Sequence, residues 1–407
     1  MATPATGSST LTRRGVLTAA AGSLLLSACA PAGSSAEGGG SPTAASGQEL
    51  VIGVSLELTG HGAALGVLQE RALAITVESL NANGFPVGNL RRTVRLDVRD
   101  NRSDPRLAAR QATELTRQAK VHALLGGTLA ETSTAIIAVA QRLQVPFLSL
   151  ASADNIVLPL TERTYIYKLT PDAADVARRL AQLIGSQQVR RVALLAADGL
   201  HGDAGVQAMT GALRAADVKL GRTVRLPRTG ADFTDAVQRA VADEPDGVVV
   251  WGTAPDSGSA ARKLRRAGHR GPIFFDAGAV AEETLAGSNA AAVEGAYAVH
   301  PTCLSGYALT NASTAALARR DFIYRYLQRH GSFGGFAPYA SDGVQLLVTA
   351  ARLASSVDRG RLRAYLQTQV TEGIAGGYAF APIRHGGMDP DSLGVYVVDQ
   401  GSWVPYA

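Results

Sequence analysis

Along "ELVIGVSLELTGHGAALGVLQERALAITVESLNANG" (49–84), apolar and polar positions alternate from Leu50 to Leu58, and from about Ala64 to Leu80 the apolar residues recur at helical spacing. That change of period predicts a strand, a turn and a helix, with Gly60, Gly62 and Gly66 punctuating the turn. The pattern repeats in "TVRLDVRD" (93–100), a helix after Asp104-Pro105, "HALLGG" (122–127), a helix from about Glu131 and "VPFLSLAS" (145–152). Asp104 as N-cap with Pro105 at the first helical position reads as a helix start rather than an acidic site.

A second series begins near residue 170. It comprises "RRVALLAADG" (190–199), a helix from about Ala204, "TVRLPRTG" (223–230), a helix near 232–242, "GVVVWGTA" (247–254), a helix near 256–267 and "PIFFDAG" (272–278). Strands separated by amphipathic helices predict βαβ units, hence two successive α/β lobes of parallel sheet. Beyond residue 300, "ASTAALARRDFIYRYLQRHG" and "YASDGVQLLVTAARLASSV" read as helices, and "SLGVYVVDQGSWVPY" as two strands around Gln400-Gly401. That tail is too short for a third lobe and is expected to complete the other two.

The first residues have a different grammar. "TLTRRGVLTAAAGSLLLSACA" carries twin arginines, Arg13 and Arg14, then an apolar stretch from Val16 to Leu26 too short to span a bilayer, then Leu26-Ser27-Ala28-Cys29. It resembles a bacterial lipoprotein signal peptide of the twin-arginine type, which implies acylation of Cys29 and a mature chain anchored to the outer face of the cell membrane. Residues 30–48, "APAGSSAEGGGSPTAASGQ", read as a flexible tether with a root-mean-square reach of roughly 20–25 Å.

Composition narrows the function further. The chain of 407 residues has a net charge of only +5, and its basic residues are scattered among acids, which gives no polybasic face for nucleic acid. With Cys29 lipidated, Cys303 has no intrachain partner and reads as a small buried hydrophobe. His61, His122, His201, His269, His300, His330 and His385 show no metal-ligand spacing, and there is no nucleophile elbow or phosphate loop. No catalytic residue, cofactor or metal is expected.

Two loops remain as candidates for chemistry, "TGHGAALG" (59–66) and "GLHGDAG" (199–205), each following a strand, where open α/β sheets bind ligands. The first also fits a loose dinucleotide fingerprint. The acid that should grip the ribose about 20 residues on is displaced to Asp97 or Asp100. An exported NAD(P)-dependent oxidoreductase therefore stands as one rival reading, and a ligand sensor for a membrane receptor as another.

The ordered set "IGVSLELTGHGAALG", "NANGFPVGNLRRTVRLDVRDNRSDPRLAARQATEL", "VHALLGGTLAETSTAIIAVAQRLQVPFLSLASADNIVL" and "YIYKLTPDAADVARRLA" resembles the branched-chain amino acid type of periplasmic binding protein, over about residues 49–400. The resemblance implies a type I clamshell of two Rossmann-like lobes with a three-crossover hinge. Lobe one would be 49–168 plus 299–385, and lobe two 169–298 plus 386–407. It also implies a monomer that carries a small-molecule ligand to ABC permease subunits.

The family's ligand contacts carry over residue by residue. Its paired serines fall on Leu129 and Ala130, flanked by Thr128 and Glu131. Its second loop falls on Ala151, Ser152 and Ala153, its aromatic positions on Leu65, His201 and Thr253, and its acid near Asp276. With the paired serines gone, the expected ligand is a small polar solute (an amino acid, amide or organic acid), its carboxylate held by backbone N–H groups at 129–131. His201 reads equally as a solvated loop residue, Glu131 as a complement to its helix dipole, Asp198 as a cap for the following helix and Trp251 as core.

Overall fold

The computed structural model describes residues 49–227, 232–305 and 313–406; the export signal, Cys29 and the tether lie outside the described residues. The first series of elements is β1 (Glu49–Leu56), α1 (Ala63–Asn83), β2 (Phe85–Val87), β3 (Leu90–Asp100), α2 (Pro105–Arg117), β4 (Ala123–Gly126), α3 (Ala130–Arg142), β5 (Phe147–Ser149) and β6 (Ile166–Lys168). Its strands form a six-stranded sheet in the order β2-β3-β1-β4-β5-β6. β1 runs parallel to both neighbours, with Val54 beside Val98 and Leu125. Period-2 alternation sends Leu50, Ile52, Val54 and Leu56 to one face, in a core shared with Leu65 and Leu73 of α1. Val51 points to the other, with Ala112, Leu115 and Ile136. Both faces of the strand are covered.

The second series is α4 (Ala173–Ser186), β7 (Arg191–Ala197), α5 (Leu200–Ala215), β8 (Lys219–Leu226), α6 (Thr234–Val241), β9 (Gly247–Trp251), α7 (Asp256–Arg266), β10 (Ile273–Phe275), α8 (Glu282–Leu285), α9 (Ala290–Val293) and β11 (Tyr297–Pro301). After it come α10 (Thr314–His330), α11 (Ala337–Ala354), α12 (Arg359–Leu366), β12 (Val370–Glu372), β13 (Gly377–Ala379), β14 (Leu393–Asp399) and β15 (Ser402–Pro405). A seven-stranded sheet runs β15-β14-β11-β10-β9-β7-β8. The C-terminal hairpin pairs antiparallel along one edge of it, turning through Gln400 at φ 50° and Gly401 at φ 73°, the two positive values a type I′ turn needs.

The later helices return to the first sheet. Phe322 and Tyr326 of α10, Tyr339 and Leu347 of α11 and Leu362 of α12 join the core around Leu50 and Leu73. Two pairings follow the chain between the sheets. β11 pairs parallel with β10 and antiparallel with β14, the latter from Tyr297 to Pro301. Gly386 and Met388 still bridge to Lys168 and Tyr378, so the return to the second sheet comes only at β14.

Where β6 leaves the first sheet, the fully buried Lys168 donates from Nζ to Asp154 (2.9 Å), Asp172 (2.7 Å) and the carbonyl of Pro171 (3.1 Å). Burial alone would lower its pKa; the two carboxylates outweigh it and raise it. Asp154 also accepts from Ala173 N (2.9 Å), tying the loop after β5 to the opening of α4.

Candidate functional site

β1 ends at Leu56, and the next residue, Glu57, is an acid with no exposed surface. Its carboxylate accepts from Thr128 N (3.0 Å), Leu129 N (3.4 Å) and the Thr132 hydroxyl, which places it over the opening of α3. A buried carboxylate is tolerable there because amide donors and the helix dipole replace its water. Thr128 Oγ1 in turn donates to Gln69 Oε1 of α1 at 2.6 Å. Of the N–H groups at 129–131 expected to hold a ligand carboxylate, that of Leu129 is therefore answered by the chain's own acid, as is its neighbour at Thr128.

The same acid explains the glycine loop. A Cβ on Gly66 would stand 2.2 Å from the Glu57 carbonyl oxygen, so only glycine lets α1 pack this closely on the end of β1. The loop is pinned from its other side by Asp100, which accepts from Leu58 N (3.1 Å), Thr59 N (3.2 Å) and Thr59 Oγ1 (2.7 Å). Desolvation pushes the Asp100 pKa up, but the Thr59 hydroxyl and the amide donors outweigh it and hold it below the usual carboxylate value. Ser103 Oγ accepts from Gly62 N and donates to Thr59 O, both at 3.0 Å. Three of the amides that a pyrophosphate could use, those of Leu58, Thr59 and Gly62, are thus engaged within the protein, which weakens the dinucleotide reading.

On the second sheet, Gly205 of α5 lies flat on Trp251: a Cβ there would meet the indole at 2.4 Å. That close packing carries the first turn of α5 to the strand ends. Asp276, buried after β10, accepts from Gly252 N (2.8 Å) and Gly278 N (3.0 Å), and its Oδ2 lies 3.0 Å from His201 Nε2. His201 also leans toward Trp251, ring centroids 6.0 Å apart. The N-cap of α5 is Gly199 at φ 100°, without a side-chain cap bond, so Asp198 does not cap this helix and the helix starts earlier than its apolar spacing suggests.

Between the two sets of strand ends lies a cleft of about 400 Å³, within the range of small-molecule sites. Leu65, Thr128, Leu129, Ala130, Glu131, Ser152, His201 and Thr253 all line it. Asp276 stands behind His201 rather than in the wall. Ala151 and Ala153 are fully buried and lie outside the lining. The Ala151 carbonyl accepts from Thr170 Oγ1 (2.6 Å), so it is spent on the chain. The wall also contains Ser103, Asp198, Asp256 and Phe336, which periodicity could not have singled out. A larger groove of about 810 Å³ runs beside α4 and along α5 from Leu200 to Ala216, with a wall mostly of alanine on α5, so the cleft centred on the strand ends of both sheets is the better candidate.

Glu131 closes the cleft across its mouth. It sits in the first turn of α3, and its Oε1 accepts from Leu200 N, the first amide of α5, at 3.4 Å.

A family model described as "Periplasmic binding protein" matches residues 49–401. Among solved structures, an extracellular ligand-binding receptor from Rhodopseudomonas palustris HaA2 is 21% identical with TM-score 0.80, over 88% of this chain and 100% of that one. A leucine-binding protein from Thermotoga maritima MSB8 is 21% identical with TM-score 0.78, over 88% and 98%. A solute-binding protein of an ABC transporter from Rhodopseudomonas palustris BisB5, in complex with 3,4-dihydroxybenzoic acid, is 18% identical with TM-score 0.75, over 88% and 97%. At these identities the likeness to each structure is one of fold.

Proposed function

The chain belongs to the periplasmic binding protein family, and from that premise we propose that it is the solute-binding component of an ABC importer, closing two lobes on a small polar ligand and presenting it to a membrane permease. The observation that carries this reading is the cleft of about 400 Å³, walled by strand ends of both sheets and spanned by the Glu131 contact to Leu200. A ligand touching both walls favours the closed form by the difference in its affinity for the two states, and a permease can read that difference. In this proposal the crossovers follow Lys168 and Pro301 and precede Leu393, a monomer does the carrying, and acylation of Cys29 holds it at the outer face of the membrane.

The test is the solute itself. Protein purified without refolding is denatured, and its small molecules are identified by mass spectrometry and titrated back onto stripped protein. One solute that rebinds and narrows the distance between labels on α2 and α6 is the expected result. Rebinding without any change in that distance would remove the clamshell mechanism.

A further inference from the structure

Around the cleft, several backbone donors at helix openings are already taken by the chain's own carboxylates. Asp104 takes Arg106 N (2.7 Å) and Leu107 N (3.3 Å) at the opening of α2. Glu57 takes Thr128 N and Leu129 N at α3, and Glu131 takes Leu200 N at α5. Asp276 takes Gly252 N and Gly278 N beneath His201. No lysine or arginine lines the cleft among the described residues, whereas Glu131 and Asp198 do. The Asp198 carboxylate has no hydrogen-bond partner among the described residues.

From this distribution we infer that the ligand is a small organic cation, an amine or quaternary ammonium, rather than an amino acid or an organic acid. The inference rests on the reading that this cleft is the solute site. A carboxylate entering it would meet acids and find the Leu129 and Leu200 amides taken, so it would regain less than the water it loses. An ammonium group meets the opposite situation. Asp198 gives it a counter-charge and Glu131 a second one at the mouth, while the aromatic ring of Phe336 lies in the wall. Ser152 and Thr253 supply hydroxyl oxygens for its N–H groups. Specificity follows from rejection as much as attraction, because the acids that welcome an ammonium repel an anion of the same size.

The experiment is calorimetry on the stripped full-length protein with ligands matched in length: putrescine, 4-aminobutyrate, succinate and succinamide, and separately choline and glycine betaine. Putrescine or choline binding at least tenfold more tightly than its zwitterionic, anionic and neutral counterparts is the expected result. Asp198→Asn and Glu131→Gln should each weaken that cation by about tenfold while the far-ultraviolet spectrum stays unchanged. Tighter binding of the zwitterion, diacid or diamide overturns the inference and leaves the solute-binding reading standing. An unchanged cation affinity in both variants also overturns it. Heat from none of the compounds overturns it and counts against the solute-binding reading as well.

Discussion

Glu131 and Leu200 lie 69 residues apart in the chain, yet the carboxylate of the first accepts the backbone N–H of the second at 3.4 Å, joining the first turns of α3 and α5 across the cleft. The contact places a negative charge at a helix N-terminus, an arrangement worth about 0.3–1 kcal/mol at an exposed site. Glu131→Ala should therefore raise the open-to-closed ratio of the ligand-free protein about two- to fivefold. Distance distributions between spin labels on α2 and α6 measure this; identical distributions in the two proteins would show that the contact does not bias closure.

Glu57 is a second carboxylate on a helix opening, but it is sealed from solvent. Glu57→Ala strands the amides of Thr128 and Leu129 and the hydroxyl of Thr132 beside a void, at a cost of about 2–4 kcal/mol. Glu57→Gln keeps one acceptor oxygen and should cost about half as much. Urea unfolding gives both values. The alanine variant also vacates the opening of α3, so acetate should raise its melting temperature and leave that of the parent unchanged.

Asp342 of α11 is buried and accepts from Ile374 N (2.7 Å), Ala375 N (2.9 Å) and the Tyr378 hydroxyl (3.0 Å). Burial pushes its pKa up to about 6 against the pull of those donors. The folded state thus binds this proton more tightly than the unfolded chain, whose carboxyl titrates near 3.9. Stability from this group is greatest below about pH 4, falls as pH rises to about 6 and is level above, a total of about 3 kcal/mol. Asp342→Asn should flatten that segment of the stability profile, measured by chemical denaturation at successive pH values. A variant with the same slope between those values would assign it to another group.

The alternation of strand and helix was legible where strands such as β1, β7 and β9 are buried along their length and the helices between them show helical spacing, so the period changes at their boundaries. The cap at Asp104 was legible too, since its acceptor role is local: it takes the amides of Arg106 and Leu107. What escaped is long-range. Three-residue strands such as Phe85–Val87 and Val370–Glu372 have no period to detect and exist through their partners. β11 stays in the second sheet because Val299 pairs with Val395, almost a hundred residues later. In the site, the glycines were legible as a turn but their reason was not. Glu57 shows in the sequence only as an acid between two leucines, and the amides it serves are 71 and 72 residues away. Family resemblance supplied Glu131 and His201 as wall residues; it could not supply the Glu57 carboxylate seated on the amides of Thr128 and Leu129.

The last prediction separates two residues that touch. Asp276 and His201 are 3.0 Å apart, yet their duties differ. Asp276 satisfies Gly252 N and Gly278 N inside the protein, while the imidazole forms part of the cleft wall. In Asp276→Asn the new amide group must face one of those N–H donors, so the variant should lose about 1–3 kcal/mol in urea unfolding. His201→Ala removes a partly exposed ring and leaves the buried carboxylate its two amide donors, so its stability should fall by less than about 1 kcal/mol. Its affinity for the solute recovered from the native protein should drop about tenfold, because a wall contact and the orientation Asp276 gives it are lost together. Equal destabilisation by the two substitutions, with affinity unchanged in His201→Ala, would make the histidine a structural partner of Asp276 and take it out of the binding surface.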